Sequence, residues 1–161
     1  MTELATSPVP GRPGLPGPVL MSFLAGASML RVSALRAAGG FSARLWLGGE
    51  EEPLATDLVS LGHVLCYLPS ARVHHQASVH RDPARRRQLG IRNTLWFTWL
   101  RRPVPAAIHR TGQLAVTLPR DRLSAGAFAA AVAGPEVEAA IRLLDAPRRA
   151  SRARRYVAGM R

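Results

Sequence analysis

Four acidic residues, Glu50, Glu51, Glu52 and Asp57, fall within eight positions of this chain, directly after Leu45-Trp46-Leu47 and Gly48-Gly49. A glycine turn that delivers carboxylates to the start of a helix can supply a general base to a cleft, since like charges set side by side favour proton uptake by one of them. The plainer reading of the same residues is a helix N-terminus stabilised by acids, which the macrodipole favours there. Of the five histidines, His63, His74, His80 and His109 read as surface or packing residues. His75 is the one candidate ligand, and only as an addition to carboxylates, because hard cations prefer oxygen.

The elements that must hold these groups can be read from pattern. Residues 50–61 predict a helix: the acids crowd its first turn, Leu54, Leu58 and Leu61 recur at three- and four-residue spacing, and Gly62 closes it. Before it, residues 19–25 predict a buried strand running into the small residues Gly26-Ala27-Ser28, and residues 32–38 a short helix ended by Gly39-Gly40. After it, residues 64–68 and 71–75 predict two extended pieces separated by Pro69. Asp82 is an N-cap with Pro83 just inside, opening a basic helix that carries Trp96, Phe97 and Trp99 and stops before Pro103. Residues 104–147 are Ala-rich and helical, divided at Gly134-Pro135. The expected organisation is a disordered Pro/Gly-rich lead-in over 1–18, a half-domain over 19–102, a helical extension over 103–147 and a basic disordered tail over 148–161.

Charge and composition set limits on function. The chain has 161 residues and a net charge of +12, and all 22 basic side chains are arginine. Residues 1–80 are neutral, whereas residues 81–161 hold 17 Arg against five acids. A surface facing nucleic acid, anionic lipid or an anionic substrate is therefore expected on the second half, a solvated basic tail being the duller alternative. A hydrophobic fraction of 47% excludes a wholly disordered chain. Cys66 is the single cysteine and cannot form an intrachain disulfide, which suits a reducing cytoplasm. No run reaches the ~18 apolar residues of a transmembrane span, and no signal peptide is legible. Neither a helix-turn-helix, a zinc-ligand spacing nor an RNA-recognition motif is present, so no specific nucleic acid is expected as partner.

One ordered series goes further. Gly26-Ala27-Ser28-Met29-Leu30-Arg31, Ala34-Leu35, Gly39-Gly40-Phe41, Gly49-Glu50-Glu51, Leu54, Gly62, then Pro69, Ala71, Val73 and His75, and finally Arg92-Asn93, resembles the C-terminal half of the catalytic domain of family 2 glycosyltransferases over residues 20–100. The resemblance implies an α/β fold, a partial GT-A-like (nucleotide-diphospho-sugar transferase) half-domain followed by a helical C-terminal region. It implies inverting transfer of a sugar from a nucleotide-sugar donor to a glycan or lipid-linked acceptor of the cell envelope. Glu51 would be the base and Glu50 its neighbour in the acidic motif; Gly26, Ala27, Ser28, Trp46, Gly49 and Arg92 would line the substrate; His75 would help to hold Mg²⁺ or Mn²⁺.

Departures from the family pattern are equally specific. Glu51 stands where the family has Asp, Pro53 where many members have a second Asp, Asp57 where an Arg is usual, and Ser42 after Gly39-Gly40-Phe41 where Asp is usual. The Asp-x-Asp metal motif does not occur, and the family's nucleotide-binding half would precede residue 20. The expectation is thus a truncated fragment with little activity alone, of a divergent subgroup or a pseudo-enzyme, with a missing N-terminal half as one candidate partner, in the cytoplasm or peripherally on the inner face of the plasma membrane. The competing expectation is a non-catalytic basic module that binds anionic membrane or nucleic acid. Glu51 matters in the first and is irrelevant to the second.

Overall fold

The computed structural model describes residues 7, 9, 11–45, 47–74, 76 and 82–134. They form two units: one from the chain up to Ser42 and from Glu51 to His80, the other from Ala43–Glu50 and the chain from Arg81 onward.

The first unit is built on two helices, α1 (Val32–Ala37) and α2 (Glu51–Ser60). Ala34 of α1 packs with Leu54 and Leu58 of α2, and Phe23, Leu30, Leu35, Ala38 and Leu65 close around them. Of the predicted stripe Leu54, Leu58 and Leu61, the first two bury, whereas Leu61 follows the end of α2 and is exposed. Both helices end as their glycines foretold. Gly39 N–H and Gly40 N–H donate to Arg36 O and Leu35 O, and Gly62 N–H and His63 N–H donate to Val59 O and Leu58 O, the paired bonds of a Schellman ending.

The expectation of an α/β, GT-A-like half-domain is overturned. Among the described residues there is no sheet: the predicted strands at 19–25 and 64–68 meet in one antiparallel bridge, Val19 with Cys66. Leu20 N–H donates to Leu65 O at 2.9 Å and Tyr67 N–H to Pro18 O at 2.9 Å, and the pairing stops there. Pro18 has no N–H to extend the ladder on one side. On the other, the chain leaves extended geometry for a single 3-10 turn at Ala25–Ala27. Part of the lead-in is fastened to this bridge: a Cβ on Gly17 would stand 2.1 Å from Tyr67 O, so only glycine permits the approach.

The second unit is helical: a 3-10 turn at Ala43–Leu45, then α3 (Pro83–Arg101), α4 (Val104–Thr117) and α5 (Arg122–Ala133). Asp82 caps α3, its carboxylate accepting from Arg85 N–H at 2.9 Å, with Pro83 at the first position. α3 packs along both α4 and α5. Ile91 and Leu95 of α3 meet Leu114 of α4 and Ala131 of α5 in one core, and Trp96 packs on Leu45 in another. Trp96 and Phe97 are buried, and Trp99 donates its indole N–H to Thr111 Oγ1 at 3.2 Å. The aromatic cluster thus builds the interior of the second unit. Among the described residues no helix is long and apolar enough to cross a membrane.

Asp121 opens α5 in the way Asp82 opens α3. Its carboxylate accepts from Ser124 N–H at 2.7 Å and pairs with Arg87 at 2.9 Å. The Ser124 backbone bond, outweighing the opposing effect of desolvation and helped by Arg87, holds the Asp121 carboxyl below its ordinary 3.8. A depressed folded-state value means stability that is present above the unfolded value and lost as pH falls through the folded one. Asp121→Ala should therefore lower the thermal midpoint by a few degrees at neutral pH, and the gap from wild type should close in acid, below 3.8. A gap that persists unchanged there would show that charge is not the source of the effect.

Candidate functional site

The acidic motif straddles the two units: Glu51 is the first residue of α2 in the first, and Glu50 ends the loop that belongs to the second.

In the first unit, the half-buried Glu51 side chain turns toward the small-residue segment. Its Oε1 accepts from Ala25 N–H at 3.4 Å, across 26 positions of sequence. Gly26 and Ala27 complete the 3-10 turn that Ala25 opens, and Ser28 Oγ donates back to Ala25 O at 3.1 Å. Three of the predicted substrate-lining positions are thus brought beside the predicted base. What results is a carboxylate with one weak backbone donor, partly open to solvent, next to a turn whose side chains are a hydrogen, a methyl and a hydroxymethyl. Such a group can take a proton from a hydroxyl seated over the turn.

In the second unit, Glu50 is engaged with its own loop, its Oε2 accepting from Gly48 N–H. That bond makes Glu50 a brace of the turn. The turn is unusual in backbone: Leu47, Gly48 and Gly49 have φ of 65°, 104° and 90°, all in the left-handed region. Leu47 is the one non-glycine with positive φ among the described residues. Trp46, a predicted lining residue, lies outside the described residues.

What holds this turn is Asn93, wholly buried on α3 at 0% exposure. Its Nδ2 donates to Leu45 O at 3.1 Å and also to Gly48 O. Its Oδ1 accepts from Arg92 Nε at 3.0 Å and Arg92 Nη2 at 2.9 Å. Arg92 in turn reaches Arg44 O at 3.2 Å and lies over the Trp96 ring, its Cζ 4.5 Å from the centroid. Arg92, expected to line substrate, is thereby committed to the loop through both hydrogen bonds and a cation–π contact. Asn93 is the residue that sequence reasoning undervalued. Its signal was an Asn between Ile91 and Leu95 on a helix, where a polar side chain must find partners if it faces inward.

The fit of loop and helix can be tested at Gly49. A Cβ there would lie 3.2 Å from Asn93 Cβ, and φ of 90° is strained for any L side chain. Gly49→Ala should cost roughly 1–3 kcal/mol, from left-handed strain and from displacement of Asn93. Urea unfolding measures it, and an unchanged midpoint would show that the turn relaxes freely.

Among the described residues no group of three or more His, Cys, Asp or Glu is placed to hold a metal ion. Glu50 Oε2 accepts from Gly48 N–H and Glu51 Oε1 from Ala25 N–H. His75 lies outside the described residues.

No family model, curated protein or solved structure matches this chain.

Proposed function

We propose that the chain serves an inverting glycosyl transfer, with Glu51 as the base that activates the acceptor hydroxyl. The observation that carries the reading is the Glu51–Ala25 contact, which sets the acidic motif against the Gly26-Ala27-Ser28 turn. These are two of the motifs in the ordered series that resembles family 2 glycosyltransferases, and 26 residues of sequence separate the bonded pair. In the proposed step the acceptor O–H loses its proton to the Glu51 carboxylate while its oxygen forms a bond to the anomeric carbon of the donor sugar. The bond from that carbon to the nucleotide's terminal phosphate breaks, its electron pair leaving with the nucleoside diphosphate. Glu50 keeps its place as the loop brace, and Gly26 and Ala27 leave room for the sugar at the turn.

The test is transfer from a panel of nucleotide sugars to glycan and lipid-linked acceptors. It is run with the chain alone and with a nucleotide-binding polypeptide supplied in trans. Low turnover alone and transfer in the second arrangement, lost on Glu51→Gln, is the expected pattern. Failure to transfer any sugar in both arrangements would overturn the reading.

A further inference from the structure

We propose that the outer face of α4 docks in the surface of an anionic lipid bilayer, a property independent of the glycosyl-transfer reading. α4 buries only Ala107 and Leu114 among its apolar side chains. Val104, Ile108 and Val116 stay 49%, 59% and 71% exposed. At 3.6 residues per turn, Val104, Ile108 and Ala115 fall within ~40° of one another around the helix and Val116 ~80° beyond Ile108. The apolar arc of α4 is therefore wider than its contact with α3, and the surplus is a continuous outward stripe. Near its C-terminal end lies an open recess of about 520 Å³ lined by Ala115, Leu118 and, on α5, Phe128, with Arg120, Asp121 and Arg122 on its wall.

Charge selects the occupant. Between Asp82 and Asp121 there are eight arginines and no acidic residue, and of these Arg87 is paired with Asp121. Arg101 and Arg102 precede α4 and Arg120 follows it, whereas Arg110 lies on the side of the helix away from the stripe. A second copy of this chain would bring the same positive field to the interface and be repelled. A nucleic acid duplex would satisfy the arginines and leave the apolar stripe in water. An anionic bilayer satisfies both, taking the stripe at the acyl boundary and the guanidinium groups at the phosphates. Since no described helix can cross a membrane, the geometry is that of a helix lying in the interface. The indoles of α3 take no part, because Trp96 is buried and Trp99 is bonded to Thr111.

The test uses the full chain and sedimentation with vesicles of phosphatidylglycerol and phosphatidylcholine, against vesicles of phosphatidylcholine alone. Binding to the anionic vesicles that falls as salt rises is expected, with much weaker binding to the neutral ones. Ile108→Ser with Val116→Ser should weaken it at least about tenfold. Both residues are exposed, so circular dichroism and the unfolding midpoint should not move. Arg102→Gln with Arg120→Gln should weaken it by a similar factor. Three outcomes would each overturn the proposal: no binding to anionic vesicles, binding indifferent to the double Ser variant, or a wild-type dimer that the double Ser variant converts to monomer. Duplex DNA binding, if present, should ignore the Ser substitutions. Equal sensitivity there would also count against a bilayer.

Discussion

Glu51→Gln is expected to lower glycosyl transfer by about 10²–10⁴-fold while leaving the unfolding midpoint where it was. The amide is nearly isosteric, and its oxygen can still accept from Ala25 N–H, the contact that Glu51 Oε1 makes at 3.4 Å. Position is kept and basicity is lost. Glu51→Ala should reduce activity as far but also loosen the turn at Ala25–Ala27, which allows the two roles to be separated. Glu52→Gln, one position on and exposed, is the control for net charge and should retain activity. If Glu51→Gln retains wild-type transfer, the base is another group, and the acidic residues at the start of α2 serve the helix alone.

The largest structural effect is expected at Asn93. Asn93→Ala removes both donors to the loop and the acceptor for Arg92, and the substituted side chain supplies no replacement. Loss of one buried partner leaves the other group desolvated at about 1–3 kcal/mol. With the carbonyls of Leu45 and Gly48 both affected, and Arg92 keeping its bond to Arg44 O, the sum should be roughly 2–4 kcal/mol. Asn93→Asp sharpens the test. It preserves the acceptor toward Arg92 but faces two carbonyl oxygens with a carboxylate, so it should be no better tolerated than Ala at neutral pH. Urea unfolding followed by circular dichroism measures both variants. A loss below about 1 kcal/mol for Asn93→Ala would mean that the turn is held by other contacts.

Much of the local structure was legible because its causes are local. Asp82-Pro83 announced α3, the acids at Glu51 and Glu52 announced α2, and Gly39 and Gly62 marked two helix ends. The strands were not legible in the same sense. A short apolar run such as 19–25 or 64–68 is compatible with a strand, but whether it joins a sheet depends on partners that no local pattern specifies. Here the two runs met each other in a single bridge. The acidic motif was found at sequence level, yet the two glutamates came out different: Glu51 reaches Ala25 and Glu50 folds onto Gly48. That divergence depends on contacts made beyond the motif, as does the bond from Asn93 to Leu45 across 48 positions. Likewise Arg92 reads in sequence as one more cation of a basic helix, and only the placement of Arg44 O and Trp96 shows what it holds.

The left-handed run at residues 47–49 also fixes the reading frame of the turn. Two of its three positions are glycine, so the backbone can follow it with a single L side chain in the unfavourable well. Sliding the chain one way would put a second L side chain into that well beside Leu47, at a further cost of about 1–2 kcal/mol. Sliding it the other way would exchange Leu47 for Glu50 but set a Cβ at the place of Gly49, 3.2 Å from Asn93 Cβ. Slippage is thus penalised in both directions. A single-residue insertion or deletion between Leu45 and Glu50 would be tolerated far less well than a substitution there, and the spacing from the glycine pair to the carboxylates is set by chirality.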